Sequence, residues 1–158
     1  MTVHSPDRID RNILRALQAD GRMSITDLSA AVGLSKTPCA ERVKRLEKSG
    51  HIAGYHAELG ADRLGFSHIA FVQVTLERTT TDVLDRFNLA SKRIPEIESC
   101  HMVAGGFDYL LKVRTRDMAH FRRVLGDAIG ALPGVASTHT YPVMETVLDK
   151  KGLDPVLI

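Results

Sequence analysis

At 158 residues, with 44% apolar and 25% charged side chains, the chain has an ordinary globular composition and enough length for one medium domain or two small ones. Its net charge of +2 is too small by itself to name a polyanionic partner, and no apolar run of about 18 residues exists to cross a bilayer. The polar start MTVHSPDRIDRN lacks the apolar stretch of a signal peptide, and two cysteines, Cys39 and Cys100, make neither a disulfide framework nor a zinc site, so the simplest setting is a reducing cytoplasm.

Residues 1–50 read as three helices. Ser5 can cap the first, with Pro6 in the first helical position, where its missing N–H costs nothing. Ile9, Ile13, Ala16 and Leu17 then share one face, and the ADG at 19–21 ends the helix. The second helix opens with SITD, in which Ser24 and Asp27 have capping-box spacing. Ile25, Leu28 and Val32 line its buried side, and Gly33 supplies a left-handed exit. The third opens at Ser35 with Pro38 in its first turn, where no intrahelical N–H is needed. Cys39, Val43 and Leu46 mark its core stripe at i, i+4 and i+7. Two helices joined by the tight turn VGLS and braced by a preceding helix make a helix-turn-helix. HIAGYHAEL at 51–59 reads as a short strand, consistent with a wing and a linker.

From residue 68 the period changes. HIAFVQVTLER alternates, with Val72, Val74 and Leu76 on one face and Gln73, Thr75 and Glu77 on the other. Val83, Phe87, Ala90 and Ile94 are helical in period, and Pro95 stops that helix. IESCHMVAG and FDYLLKVRT read as a strand pair joined through Gly105 and Gly106. Met118, Phe121, Leu125, Ala128 and Leu132 give a second amphipathic helix, and VASTHTYPVMETVL is a last strand. In it Pro142 removes a ladder donor, which suits a sheet edge. The order βαββαβ predicts an α+β fold: an antiparallel, ferredoxin-like sheet with two helices on one face. Its other face lacks a cover, which argues for a dimer.

Charge is unevenly placed along the chain. Residues 1–60 carry nine Lys/Arg against seven Asp/Glu, and residues 61–158 carry twelve of each. Within 35–50, Lys36, Arg42, Lys44, Arg45 and Lys48 stand against Glu41 and Glu47, a local +3. At 100° per residue, Thr37, Glu41, Lys44, Arg45 and Lys48 point away from the core stripe, with Ser35 and Lys36 at the helix's N-terminal end. That is the placement of a recognition helix: N-terminal side chains reach base edges and flanking cations, Arg42 among them, meet phosphates. Backbone N–H groups at the helix start add a phosphate site. The competing reading is a merely solvated amphipathic helix. The capped helix pair, the turn and the localised charge together favour double-stranded DNA.

An enzyme is not supported. The seven histidines are scattered without metal-ligand spacing, so neither a metal nor a cofactor is expected. Cys100 and His101 are strand neighbours and point to opposite sides.

The motifs RIDRNILRALQADGR, LSAAVGLSKTPCAERVKRLEKSGHIAGY, CHMVAGGFDYLLKVR, LPGV and TYPVME together resemble the Lrp/AsnC, or feast/famine, family of transcription regulators, closest to its leucine-responsive branch. The resemblance runs from about residue 8 to 147. It implies a winged helix-turn-helix over 1–60 and an effector-binding and oligomerisation domain, the RAM domain, over 61–158. It further implies a cytoplasmic, nucleoid-associated homodimer that assembles to a tetramer or octamer, with no membrane partner, and a small amino acid as effector at the interfaces of the C-terminal domain.

Such an effector needs a partner for its ammonium, donors for its carboxylate and a pocket for its side chain. Asp108 is the candidate for the first. Gly105 and Gly106 let backbone N–H groups approach a carboxylate, much as an anion nest does. Met102 and Met118 offer an adaptable apolar wall. The resemblance places the effector pocket on this loop and around Tyr141. Two alternatives stay open: Gly105 and Gly106 as a plain hairpin turn capped by Asp108, and an architectural, nucleoid-type DNA-binding protein that needs no effector.

Overall fold

The computed structural model describes residues 5–149, 152, 153 and 157. They form two compact units. The first holds α1 (Arg8–Ala19), α2 (Ile25–Val32) and α3 (Lys36–Lys48), together with the described residues from Leu148 on; the second runs from Leu59 to Val147. No helix among the described residues is long and apolar enough to cross a membrane.

α1 starts later than the Ser5–Pro6 pair suggests. Its cap is Asp7, whose carboxylate accepts the Asp10 N–H at 2.8 Å, while the Asp10 carboxylate accepts the Asp7 N–H at 3.3 Å. A carboxylate outcompetes the serine hydroxyl here because its full charge also faces the positive end of the helix dipole. α2 is capped as expected: Ser24 Oγ accepts the Asp27 N–H at 3.1 Å, and Gly33 leaves the helix at φ 70°. Ile25 is a correction. It shares the stripe of Leu28 but lies in the first turn, where packing ends, and is exposed; Leu28 and Ser29 take the buried positions. Ile13, Leu28, Cys39, Val43 and Leu46 make the core of this unit, with Ile9, Ala16, Leu17 and Val32 packed around it.

The expected wing is absent. Residues 51–60 form no strand, because an alternating segment needs a ladder partner and none lies beside it. The segment leaves α3 through Gly50 at φ 77° and is tied back to it. The Ile52 N–H donates to the Leu46 carbonyl at 3.1 Å, and the Tyr55 hydroxyl donates to Glu47 Oε1 at 3.0 Å.

The second unit contains β1 (His68–Leu76), α4 (Thr81–Ser91), β2 (Ile97–Met102), β3 (Tyr109–Thr115), α5 (Met118–Arg123) and β4 (Val135–Pro142). The four antiparallel strands lie in the order β2-β3-β1-β4, which is the ferredoxin-like arrangement. Alternation works as the residues predict. Val72, Val74 and Leu76 are buried with Tyr109, Leu111 and Val113 against Phe87, Phe121, Val124 and Ile129. Phe87 and Tyr109 stack at 4.2 Å between centroids, adding contact energy beyond their burial. Pro142 ends an edge strand.

Both helices depart in detail from their predicted stripes. α4 stops at Ser91, and Ile94 lies in the turn that follows. After α5 the chain winds into a π-helical stretch, Val124–Ile129, in which the Gly130 N–H reaches back five residues to the Leu125 carbonyl at 2.8 Å. The wider turn rotates the buried stripe to Phe121, Val124, Ile129 and Leu132, leaving Leu125 and Ala128 half-buried; Met118, in the first turn of α5, is exposed.

Candidate nucleic-acid interface and effector loop

Cys39, Val43 and Leu46 seat α3 in the core, so its opposite side is presented outward. Ser35, Lys36, Thr37, Glu41, Lys44, Arg45 and Lys48 are all exposed. Ser35 occupies the cap position but its side chain makes no capping hydrogen bond. The N–H groups of Lys36 and Thr37 lie in the first turn, where a helix provides no acceptor of its own, and Pro38 brings no donor. A helix start with outward donors and Lys36 beside it, with Lys44, Arg45 and Lys48 further along the helix, can hold phosphate oxygens and present Thr37 and Glu41 to base edges.

Arg42 departs from the outward set. Its side chain is 24% exposed, and its Nη1 donates to Asp7 Oδ2 at 2.7 Å and to Asp10 Oδ1 at 2.8 Å. Arg45 is more open, yet its Nη2 donates to Asp10 Oδ1 at 3.1 Å and Oδ2 at 3.2 Å. Asp7 is held at a pKa of about 2, first by the Asp10 N–H and then by the Arg42 guanidinium. The two aspartates were not among the sequence candidates. Their spacing in RIDRN shows an acidic first turn, but nothing local to it points to residues more than thirty positions away.

The hairpin between β2 and β3 carries most of the expected effector residues. Met102 ends β2 and is exposed; Gly105 and Gly106 follow in an open loop. Neither glycine has positive φ, and a Cβ on either would meet nothing within 4 Å. Neither glycine therefore supplies the left-handed residue of an αR-αL nest. Asp108 is half-buried, and its Oδ2 accepts the Leu76 N–H at 2.7 Å, where the pairing of β1 with β4 slips between Thr75 and Leu76. It thus satisfies a backbone donor at a ladder irregularity, which leaves its other oxygen's lone pairs unspent by that bond.

Met118 stands apart from the hairpin within one chain. It follows the far end of β3, and the seven residues of that strand, at about 3.3 Å each, place it roughly 20 Å from the Gly105–Gly106 loop. Tyr141 lies on β4 opposite Phe71, also away from the loop, and stacks on His139 at 5.0 Å. One copy of the chain therefore does not gather Met102, Gly105, Gly106, Asp108, Met118 and Tyr141 into a single pocket.

A cleft of about 610 Å³ does open beside β2, β3 and α5, lined by Glu96, Glu98, Arg114, Arg116, His120 and Arg123 among others. Its charges are largely spent on one another. Glu98 pairs with Arg114 and, at 3.5 Å, with Lys112; Glu96 lies 3.3 Å from His120; and Arg116 rests over the Phe66 ring at 5.3 Å. The two thiols are quiet. Burial pushes both Cys39 and Cys100 up in pKa, away from thiolate chemistry. Among the described residues no group of three or more His, Cys, Asp or Glu side chains could hold a metal.

Comparison with known proteins joins the two halves. Residues 7–47 match the model of the AsnC-type helix-turn-helix domain, and residues 69–153 match that of the Lrp/AsnC ligand binding domain. The chain is 54% identical to the leucine-responsive regulatory protein of Escherichia coli K12 over 147 residues, 93% of this chain and 90% of that protein. It is 53% identical to the proline dehydrogenase transcriptional activator of Rhizobium radiobacter over 141 residues, 89% and 90% of the two chains. Among solved structures, a transcriptional regulator of Neisseria meningitidis in complex with L-Met superposes with a TM-score of 0.89 at 31% identity, covering 94% of this chain and 96% of that one.

Proposed function

We propose, for a chain that belongs to the Lrp/AsnC family of transcription regulators, that α3 docks in the major groove of double-stranded DNA and that a small amino acid modulates this docking. Residues 1–60 read the DNA and residues 61–158 assemble and sense. The chain works in the cytoplasm, on the nucleoid.

The observation that carries this reading is the outward face of α3. Thr37, Glu41, Lys44, Arg45 and Lys48 stand on the side of the helix away from the core, and Ser35 and Lys36 are exposed at its N-terminal end. Thr37 and Glu41 address bases, the lysines address phosphates, and Arg42 and Arg45 border both. A second copy pairs through the sheet face without helices, where Phe71 and Tyr141 are exposed, and dimers assemble further into a tetramer or octamer.

The effector is placed between copies. Met102, Gly105, Gly106 and Asp108 come from one chain, and Met118 and Tyr141 are brought close by another, because a single chain separates them. Asp108 receives the ammonium on the carboxylate oxygen away from Leu76. The L-Met bound to the meningococcal regulator and the leucine in the name of the Escherichia coli protein make methionine and leucine the first amino acids to titrate. One observation favours the architectural alternative: the carboxylate of Asp108 already serves the Leu76 N–H.

A duplex enriched by the wild-type chain from a random-sequence pool tests the docking. Thr37→Ala should weaken binding to that duplex by about 1–3 kcal/mol, and Lys44→Ala should weaken all duplexes evenly and lower the salt slope by about 1. Unchanged binding by both variants would remove α3 from the interface. Methionine and leucine added to the same titration separate a responsive regulator from an architectural one.

A further inference from the structure

Among the described residues, Asp10 is the one charged side chain that is completely buried. A carboxylate survives out of water only when paired and hydrogen-bonded. The cations beside it come from α3. Arg42 Nη1 lies 2.8 Å from Oδ1, and Arg45 Nη2 lies 3.1 and 3.2 Å from Oδ1 and Oδ2. Arg42 is gripped a second time by Asp7 Oδ2 at 2.7 Å, and Asp7 and Asp10 cap α1 through each other's N–H groups. Two arginines three residues apart on the recognition helix thus converge on one carboxylate of a different helix. Arg45 still shows 45% of its side chain to solvent.

We propose that Asp10 is a positioning residue for DNA recognition: it holds Arg42 and Arg45 in one arrangement along α3 and offsets part of their charge. This rests on the reading that α3 faces the DNA. The physical consequence is a gain in discrimination. A guanidinium already fixed by its supporting carboxylate loses little further freedom when it meets a base or a phosphate in the right place. The same carboxylate weakens the pull of these arginines toward any phosphate in any place, which is the sequence-independent part of binding. Lys36, Lys44 and Lys48 stand exposed for that sequence-independent attraction.

The full-length chain is titrated with the selected duplex and with a shuffled one of equal length, over a range of salt. Asp10→Asn keeps the size and one acceptor oxygen but removes the charge. Its preference for the selected over the shuffled duplex should fall by about tenfold or more, the loss of one good base contact. Affinity for the shuffled duplex should hold or rise, and the log–log salt slope should steepen by about 1 for each arginine released. Asp10→Asn on an Arg45→Ala background should cost less preference than it does alone, because part of its effect passes through Arg45. A preference left intact, an equal loss on both duplexes with the slope unchanged, or additive losses in the cycle would each overturn the proposal. Should circular dichroism show Asp10→Asn unfolded, Asp7→Asn takes its place. Asparagine still caps α1, Arg42 is half released, and an unchanged slope and preference would again overturn the idea. Thr37→Ala and Lys44→Ala run beside these variants. If they too leave binding untouched, α3 is not the DNA face and the docking reading fails; if they weaken it while Asp10→Asn keeps full preference, only the role of Asp10 fails.

Discussion

Replacing Asp108 by asparagine and by alanine separates its work in the fold from its work on a ligand. Its Oδ2 accepts the Leu76 N–H at 2.7 Å, at the point where β1 slips in register against β4. A hydrogen bond to a charged acceptor contributes about 1.5–3 kcal/mol, and the half-exposed position of Asp108 favours the lower end. Asp108→Ala leaves the Leu76 donor without this partner and should lower stability by about 1.5 kcal/mol, or roughly 6–12 °C in melting temperature for a domain of this size. Asp108→Asn keeps an oxygen toward the donor and should cost only about 0.5–1 kcal/mol. Toward an amino acid the two variants should behave alike, since neither has a charge for the ammonium, and both should bind methionine and leucine at least about tenfold more weakly. Calorimetric titration read beside thermal melts makes the comparison. Full-strength amino-acid binding by Asp108→Asn would show that the ammonium's partner lies elsewhere. Wild-type melting of Asp108→Ala would show that the bond to Leu76 stabilises nothing.

Two further perturbations probe the scaffold. Asp7 titrates at about 2 in the folded chain, against 3.8 ordinarily, so the unfolded chain takes the proton first as pH falls. Its contribution is complete above about pH 4 and is lost on the way down to about pH 2, and half-exposure keeps it small. The urea midpoints of wild type and Asp7→Asn should converge over that window, and a gap that is equally wide at both ends would contradict this. Gly134 has φ 76°, and a Cβ there would lie 2.5 Å from Val83 Cγ1. Gly134→Ala should therefore destabilise by about 1–3 kcal/mol in urea, with Val83→Ala recovering the steric part alone; Gly106→Ala, which meets open space, should stay within about 0.5 kcal/mol. A neutral Gly134→Ala would mean that the backbone there relaxes freely.

Much of the architecture was legible in the residues because it depends on short-range geometry. The stripe Cys39, Val43, Leu46, the exit at Gly33 and the alternation Val72, Val74, Leu76 need only the helical or strand period, and all three stand as read. The outward set on α3 followed from the same period, with the core stripe as its reference. What the period could not supply were relations between distant segments. Whether 51–59 becomes a wing depends on a partner strand, and none is there. The widened turn at Val124–Ile129 preserves helical composition while moving the stripe, so Ile129 ends up inside and Ala128 only half-buried. Arg42 and Arg45 looked like free cations along α3, yet they meet carboxylates 32 to 35 positions earlier. Asp108 finds its donor 32 positions away at Leu76, and Met118 stands at the opposite end of β3 from Gly105 and Gly106. Local chemistry decides which face of an element is apolar and where it begins and ends. Only packing decides which charge stands beside which, because an ion pair is set by distance in space and carries no period along the chain.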